Sequence, residues 1–545
     1  VKPDDLVETA DLIAVVGMSC RVPGADTSDE FWQLLRDGVD PVEEVADGHR
    51  VESTNGATFV PKRKRFSDPA LFDAGFFGLS PVEAAATDPQ HRLLLEGSVR
   101  ALEDAAIDAS RFAGDIALYV GMNHSDYLIN HVLPDGTSSR ALGWHRVLMG
   151  NDRGFAATQV SYRLGLTGPS MAVDCACSSG LVAVHQACRA LLAFDADAAV
   201  AGGINVRPED EGYLYAEGGI ASPDGLCRPF SAQSSGTVFA SGAVLFVLRR
   251  LEDALADGDR VLAVIRASGI NNDGPRKSSF TAPSVEGQAA LVRRVHALAG
   301  IDPDAVTYVE AHGTGTALGD PIEVAALEQA FGATSGDAGR CLIGSVKSNI
   351  GHLDSASGAA GLAKVVLALQ HGYLPATLYA EETNPAIDFE TSRFQVCSEG
   401  RQWDGADRLA AVSSFGVGGT NAHVVLAPAP VTSVATAATP VPETVMLPFS
   451  ARTTVALDEV EQQLRELLAR SEGATVVDTA HTLRRSRLAH PQRRALVWQA
   501  GTGTVESVAP ARSGRQVVAV LGTLAGGTSD DNALLSDTLG ALAIA

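Results

Sequence analysis

The sequence predicts an α/β protein whose mixed sheets are covered by helices on both faces, followed by a smaller α/β unit. Three observations carry this expectation. Short continuous apolar runs recur as far as Leu426. Between many of them lie helical stretches with small and apolar residues on most faces, as in sheets buried on both sides. Two segments also echo one another: "MAVDCACSSGLVAVHQACRALL" from Met171 and "CLIGSVKSNIGHLDSASGAAGLAKVVLAL" from Cys341. Each runs strand, polar turn with a reactive residue, then an unusually apolar helix. Such a helix belongs in the centre of a layered protein, and the echo points to an internally duplicated unit.

Taken in order, "LIAVVGMSC" (12–20) reads as a buried strand, from its β-branched run ended by the turn-forming "RVPGA". The runs "DIALYVGM", "MAVDCA", "DAAVAGGINV", "VLFVLRRL", "LAVIRASGI", "VTYVEAHGTGT" and "CLIGSV" follow as further strands. At 428–443 the composition shifts to the Pro/Ala/Thr-rich "PAPVTSVATAATPVPE", a linker. Beyond it "MLPFSA" reads as a strand and "TTVALDEVEQQLRELLAR" as an amphipathic helix. Leu457, Val460, Leu464, Leu467 and Leu468 share one face of that helix. A second helix, "VVDTAHTLRRSR", and a strand, "RRALVWQA", complete a small unit over 444–500. The expected organisation is an N-terminal linker (1–11), a main domain (12–427), a linker (428–443), the small unit (444–500) and a tail (501–545).

Composition narrows the functional classes. In 545 residues, 46% hydrophobic and 20% charged content describe a globular chain rather than a disordered one. A net charge of -23 argues against a nucleic-acid partner. The one basic cluster, Lys62-Arg63-Lys64-Arg65, reads as a solvated loop rather than a patch for an acidic partner. Seven cysteines, an odd number, do not make a disulfide framework and suit reduced cytosolic thiols. The opening "VKPDDLVETADLIAVVGM" has an acidic lead and a short apolar run, unlike a signal peptide. No segment approaches the roughly 20 apolar residues that span a bilayer. The missing initial Met and an ending in mid-pattern suit a piece of a longer protein.

The chemistry centres on "VDCACSSG" (173–180). A metal site needs about four ligands, and this C-x-C lacks a partner pair at recognisable spacing. A core role suits Cys175, inside the strand, and Cys188, on the helix. Cys177 falls where the strand ends and the helix begins, with Ser178, Ser179 and Gly180 permitting a tight turn. There the helix dipole and free amides are expected to lower the thiol pKa and to hold an oxyanion. Geometry alone makes Cys177 a candidate nucleophile and nothing firmer.

Three other segments add to it. "EAHGTGTALGDPIE" puts His312 just after an apolar strand, in a glycine-rich loop with Thr314 and Thr316 as hydrogen-bond donors. "KSNIGH" puts Lys347 and His352 at the end of another strand, and "SSFGVGGTNAHVVL" is a glycine turn between strands. A lone histidine is more often a core or surface residue than a catalyst. The glycine turn lacks the helix a phosphate loop requires, and there is no Walker lysine motif or G-x-S-x-G elbow.

Together these segments resemble the β-ketoacyl synthase family, and specifically the ketosynthase domains of type I modular polyketide synthases. The resemblance runs from about Leu12 to Leu426, through "DPQHRLLLE", "GPSMAVDCACSSGLVAVHQA", "GIASPDGLCRPFSA", "NNDG…FTAPSVEGQ", "VEAHGTGTALGDPIEVAAL", "KSNIGHLDSASGAAGLAKVVLAL" and "SSFGVGGTNAHVVL". It implies a thiolase-type fold: five αβαβα layers, two similar halves and a homodimer. It implies that Cys177 is the acylated nucleophile, His312 and His352 the catalytic histidines, and Lys347 the lysine supporting them. The backbone amides of Cys177 and Val417 match the oxyanion hole. Thr314 and Thr316 match threonines lining the phosphopantetheine tunnel, and Phe415 lies beside the pocket.

The implied reaction is polyketide chain elongation by decarboxylative Claisen condensation of a Cys-bound acyl chain with a malonyl-type extender. No metal or cofactor bound by this chain is implied, since the phosphopantetheine arm belongs to acyl carrier proteins, the implied partners. Nucleic acid and membrane are not, and the location expected is cytoplasmic. The same-class rival is a gatekeeping transacylase that accepts chains without condensing, and the other a non-catalytic carrier-docking scaffold. The intact Cys177, His312 and His352 set argues against the scaffold.

Four positions depart from the family pattern. Cys175 stands where Thr is usual, Gly180 where Ser is common, Thr87 for Met in "MDPQ", and Val417 where Phe or Ile is frequent. Cys175 is expected as a wall residue, and it and Gly180 are expected to bear on pocket shape. The 444–500 unit resembles the linker between ketosynthase and acyltransferase, but "VVAVLGTLAGGTSDD" after it carries no P-G-Q-G element. Either 501–545 is a remnant or start of an acyltransferase region, or a separate acyltransferase supplies the extender. "NNDG…FTAPSVEGQ" and "GHLDSASG" look more like the separate-acyltransferase or hybrid peptide–polyketide type.

Overall fold

The computed structural model describes residues 11–45, 57–207, 212–332, 340–405, 408–431, 441–471, 473–500 and 505–508. Contacts divide the chain into two units, Val1–Ala105 with Ala113–Pro430, and Ala106–Phe112 with Val431–Ala545. The first unit contains strands β1 (Ile13–Arg21), β2 (Ile116–Met122), β3 (Ser170–Val173), β4 (Ala198–Asn205), β5 (Gly242–Arg250), β6 (Ala263–Asn272), β7 (Val306–Glu310), β8 (Cys341–Gly344), β9 (Phe394–Val396), β10 (Leu409–Phe415) and β11 (Thr420–Pro428). Its principal helices are α1 (Pro89–Asp104), α2 (Arg153–Leu164), α3 (Ser179–Leu192), α4 (Val285–Ala299), α5 (Gly319–Phe331), α6 (Lys347–Ile350) and α7 (Ser357–His371).

Strand order makes the duplication explicit. One half runs β1-β5-β4-β2-β3 and the other β6-β11-β10-β7-β8, with β9 added outside β8. In both, the first two pairings are antiparallel and the next two parallel. In both, the first strand lies at the junction beside the last, and the third strand lies farthest out. The halves join where β1 pairs antiparallel with β6, Ile13 opposite Ile265.

Helices α3 and α7 form the central layer, each touching strands of both halves. Helices α1 and α2 cover the outside of the first half, and α4 with α5 that of the second. The result is the five-layer αβαβα arrangement of the thiolase fold. The apolar composition of α7 has its reason here: every residue from Ser357 to Leu369 is buried. Each buried Leu or Val of that helix contributes about 1.5–3 kcal/mol of transfer free energy. Third strand, turn and central helix recur as β3–α3 and β8–α7, so the two echoing segments occupy equivalent places.

The second unit holds the antiparallel sheet β12 (Thr444–Ala451), β13 (Gln492–Gln499) and β14 (Val505–Val508) with helices α8 (Thr454–Leu468) and α9 (Gly473–Arg485). Leu447, Phe449, Leu457, Leu464, Leu468, Leu496 and Trp498 are buried in its core. Thr453 caps α8 by accepting from the Ala456 amide. Leu467, expected on the buried face, is exposed at the edge of the stripe. The N-terminal linker (1–10), most of the central linker (432–440) and the tail at 501–504 and 509–545 fall outside the described residues. Among the described residues, no helix is long and apolar enough to cross a membrane.

The basic cluster corrects the sequence expectation of a solvated loop. Lys62 pairs with Glu44, and Arg63 and Arg65 with Glu43. Lys64 is fully buried: its Nζ lies 2.7 Å from Asp40 Oδ1 and donates to the Asn349 carbonyl at 2.8 Å. It therefore secures the end of α6. Removing one partner of a buried pair strands the other charge at a cost of about 3–5 kcal/mol, whereas an exposed pair contributes about 0–1 kcal/mol. In urea unfolding, Lys64→Ala is expected to lose about 3–5 kcal/mol and Lys62→Ala under about 1 kcal/mol.

Candidate active site

The nucleophile candidate sits on a strained turn. Between β3 and α3, Ala176 adopts a left-handed φ of 53°, which costs a non-glycine residue about 1–3 kcal/mol. Two serine hydroxyls hold it there. Ser179 Oγ accepts from the Cys175 amide at 2.8 Å and donates to the Ala176 carbonyl at 2.6 Å. Ser178 Oγ donates to the Cys175 carbonyl at 3.0 Å. From β10, Ser414 Oγ donates to the Cys177 carbonyl at 3.0 Å.

The β10–β11 turn completes this corner. A Cβ on Gly416 would lie 2.1 Å from the Cys175 carbonyl oxygen, so only glycine lets the turns approach. This closeness brings the Val417 amide to Cys177. The backbone N–H groups of Val417 and of Cys177 itself both favour negative charge on Sγ. Val417's side chain is exposed, so its departure from the family pattern leaves the amide unaffected.

Cys177 is only 8% exposed. Burial, aided by Asp354, pushes its pKa up to about 12, while Lys347 and the two amides pull the other way. The lowered pKa expected from the helix N-terminus is therefore not found. Desolvation outweighs the dipole, and the resting sulfur is a thiol. Cys175 is half-buried, its thiol bonded to the Thr420 side chain. All seven cysteines are free thiols.

The histidines come from the second half. His352 follows α6, its backbone held by a donated bond to the Val238 carbonyl (2.7 Å) and an accepted one from the Ala240 amide (2.9 Å). Its Nδ1 accepts from the Asp354 amide at 2.9 Å and faces Ser357 Oγ at 3.1 Å. An amide only donates, so Nδ1 is bare and the neutral ring carries its proton on Nε2. His312 follows β7, its ring edge-on to that of His352 with centroids 5.5 Å apart and tilted against Phe415 at 5.7 Å. Its Nδ1 is buried without a protein partner.

Burial and the Lys347 charge hold both imidazoles well below the usual histidine pKa. Lys347 is itself buried, with its pKa lowered by desolvation against the pull of Glu310, Glu323 and Cys177. Its charge thus acts on both histidines and the sulfur together.

Three buried carboxylates anchor this arrangement, and sequence reasoning assigned none of them. Glu323 accepts the His312 and Gly313 amides at 2.7 and 2.8 Å. Asp320 accepts the Phe230 and Gly315 amides at 2.8 and 3.1 Å, with burial raising its pKa to about 6. Glu310 accepts the Val346 amide (2.6 Å) and the Tyr308 hydroxyl (2.6 Å) and is ion-paired with Lys364 (2.9 Å). The available signal was an acid inside an apolar strand, and an i, i+3 pair on the helix after the loop.

Thr314 and Thr316 hydroxyls lie 3.0 Å apart, and Thr316 also accepts the Gly319 amide. One hydroxyl donates to the other, leaving one hydrogen for a ligand. Gly180 behaves differently from the expectation that it bears on the pocket. A Cβ there would meet the Ser355 carbonyl at 2.8 Å and Gly203 Cα at 3.2 Å, so the position faces the central seam. Of the predicted site residues, Cys177, His312, His352, Lys347, Val417 and Phe415 are linked through these contacts. The two threonines stand on the His312 loop.

A buried thiol at a helix N-terminus with two amides on its sulfur, and two buried neutral imidazoles under the same Lys347 charge, in a duplicated five-layer fold, are the features expected of a condensing enzyme of the thiolase fold. Residues 10–254 match the β-ketoacyl synthase N-terminal domain, 262–381 its C-terminal domain, and 383–497 the ketoacyl-synthetase C-terminal extension. The chain is 44% identical over 493 residues to a component of the phenolphthiocerol/phthiocerol polyketide synthase of Mycobacterium tuberculosis, covering 87% of this chain and 33% of that protein. It is 39% identical over 517 residues to the spectinabilin polyketide synthase system protein NorA' of Streptomyces orinoci, covering 93% and 14%. It thus spans a third or less of these relatives. Among solved structures, the oxazolomycin ketosynthase domain OzmH KS7 of Streptomyces albus superposes with a TM-score of 0.82 at 34% identity, over 92% of this chain and 90% of that one. Ketosynthase twelve of the bacillaene synthase of Bacillus amyloliquefaciens gives 0.79 at 34%, over 90% and 84%. The chain belongs to the β-ketoacyl synthase family, as a ketosynthase of the polyketide synthase type.

A thiol with a pKa of about 12 stays protonated at neutral pH. Alkylation of Cys177 by iodoacetamide is therefore expected to rise about tenfold per pH unit from about pH 7 to 9. Peptide mass spectrometry reads this; a plateau near pH 7 would mean a lowered pKa instead.

Proposed function

We propose that this chain elongates a carrier-bound polyketide, with Cys177, His312, His352 and Lys347 as its working set. Cys177 Sγ attacks the acyl thioester of an incoming acyl carrier protein, and its proton leaves with the pantetheine thiol. A malonyl-type extender on a second carrier then releases CO2. The enolate oxygen is held by imidazole N–H groups, from His352 Nε2 and from His312. The carbanion attacks the Cys177 thioester carbonyl, whose oxyanion rests on the Cys177 and Val417 amides. That attack forms the new C–C bond; collapse of the tetrahedral adduct then breaks the C–S bond, and the released Cys177 thiolate takes a proton from solvent. The β-ketoacyl chain stays on the second carrier.

The observation that carries this reading is the fixed tautomer of His352, a buried neutral ring with Nδ1 already accepting. Such a ring is a donor for developing enolate charge and a poor general base. Thr314 and Thr316 are proposed to guide the phosphopantetheine arm, which is carrier-borne and so arrives as substrate. The location proposed is cytoplasmic, in keeping with seven free thiols.

A homodimer is also proposed, formed at the free edge of β3. That strand ends the sheet, and Met171 on it is 54% exposed. Phe155 and Tyr162 stand exposed on one face of α2, which packs on β3, with Tyr162 83% exposed. A cavity of about 540 Å³ is lined by Met149 and Tyr162 together with Thr87 and the buried His91. An unpaired edge beside exposed aromatics calls for a covering partner, and a second copy closes the sheet symmetrically.

Two tests follow. Intact mass after mixing with an acyl carrier is expected to show an adduct on the parent, on Cys175→Ala and on His352→Ala, and none on Cys177→Ala. CO2 release from a malonyl carrier is expected to fall at least about 100-fold in His352→Ala. An adduct on Cys177→Ala, or undiminished CO2 release, would sink the assignment; an adduct with no extension would leave a gatekeeper. In sedimentation, Met171→Asp with Tyr162→Glu is expected to convert a dimer into a 56.5 kDa monomer. A parent that is already monomeric refutes the dimer.

A further inference from the structure

Ser357 is the first residue of α7 and is buried, with Oγ 3.1 Å from His352 Nδ1. Since Nδ1 already accepts the Asp354 amide, it holds no hydrogen of its own, and the serine hydroxyl is the donor. We propose that Ser357 is a positioning residue: as second donor to Nδ1 it sets the ring plane of His352 and holds it in the neutral Nε2–H form. This rests on the role proposed for His352 above.

The two halves support it independently. Ser179, the first residue of α3, is the counterpart of Ser357, and its hydroxyl braces the Cys177 turn through the Cys175 amide and the Ala176 carbonyl. In both halves, then, the opening serine of the central helix steadies the turn that presents the reactive side chain. In the first it grips backbone; in the second it grips the ring itself.

Among the described residues, Ser357 is the one side chain that donates to Nδ1, beside the Asp354 amide. Lys347 and Arg207 oppose a charge on the ring without a bond to Nδ1. His312 meets it edge-on, and the Phe239 ring packs at 5.2 Å. The Asp354 carboxylate is turned to Asn123 Nδ2 at 3.1 Å, in company with Asp174, His124 and Arg207. Donation to Nδ1 favours the neutral ring, because an imidazolium would bring its own N–H against two donors. Loss of one donor therefore raises the histidine pKa, by about one unit for a neutral hydrogen bond.

The experiment compares the parent with Ser357→Ala and with Ser357→Cys, a near-isosteric variant with a weak donor. CO2 release from a malonyl carrier is followed from about pH 8 down to the lowest pH at which the protein stays folded, alongside the rate of acyl loading on Cys177. Both variants are expected to load acyl within about twofold of the parent. The acid limb of CO2 release should move up by about one pH unit, with kcat reduced and KM unchanged. A parental pH profile in a variant that loads normally overturns the proposal. If the alanine variant also loses loading, its turn is misfolded and the cysteine variant decides by the same criterion. Failure of the His352 role itself is seen separately, as equal CO2 release by the parent and His352→Ala.

Discussion

Gly203 lies so close to the lead-in of α7 that a Cβ would stand 2.5 Å from the Ser355 carbonyl oxygen and 2.8 Å from Ala356 Cα. Gly180, at the start of α3, faces the same carbonyl, and a Cβ on Gly358 would meet the Leu181 and Ser414 side chains below 3 Å. This seam of small residues is where the halves touch at catalytic height. Each half brings there the turn after its third strand: Cys177 ahead of α3, and Lys347 to Ser357 ahead of α7. Bulk at the seam would separate nucleophile from histidine without altering either.

Burial is the second consequence of the layered plan. A central layer covered on both faces excludes water, so charge is costly there. The site meets that cost by keeping its thiol and both imidazoles neutral and by spending its carboxylates on backbone amides. Glu323, Asp320 and Glu310 accept main-chain and side-chain donors even before Lys364 is counted. Stabilisation of an oxyanion or enolate then falls to preorganised N–H groups, which are strongest where water is absent.

Much of this was legible in the sequence, because local pattern carries it. The β-branched run at 12–20 is β1, the strand–turn–helix echo is the equivalence of β3–α3 and β8–α7, and the order of motifs gave the family. What sequence could not supply is depth. Lys64 looks like its neighbours in a basic run, yet it alone is folded inward, to Asp40 and the α6 carbonyls. The position of Cys177 at a helix start argued for a low pKa, and only its burial reverses the sign. Ser357 and Glu323 read as an ordinary helix residue and an ordinary acid until the chain brings them to His352 and His312.

The seam is tested most directly by Gly203→Ala in a single-turnover condensation. Cys177 is first acylated, then mixed with a carbon-13-labelled malonyl carrier, and the products are read by mass spectrometry. The seam predicts a folded protein that still acylates Cys177 but transfers the chain at least about 100-fold more slowly, the cost of a misplacement near 1 Å. Condensation at the parental rate, with a methyl group accommodated against Ser355, would contradict it.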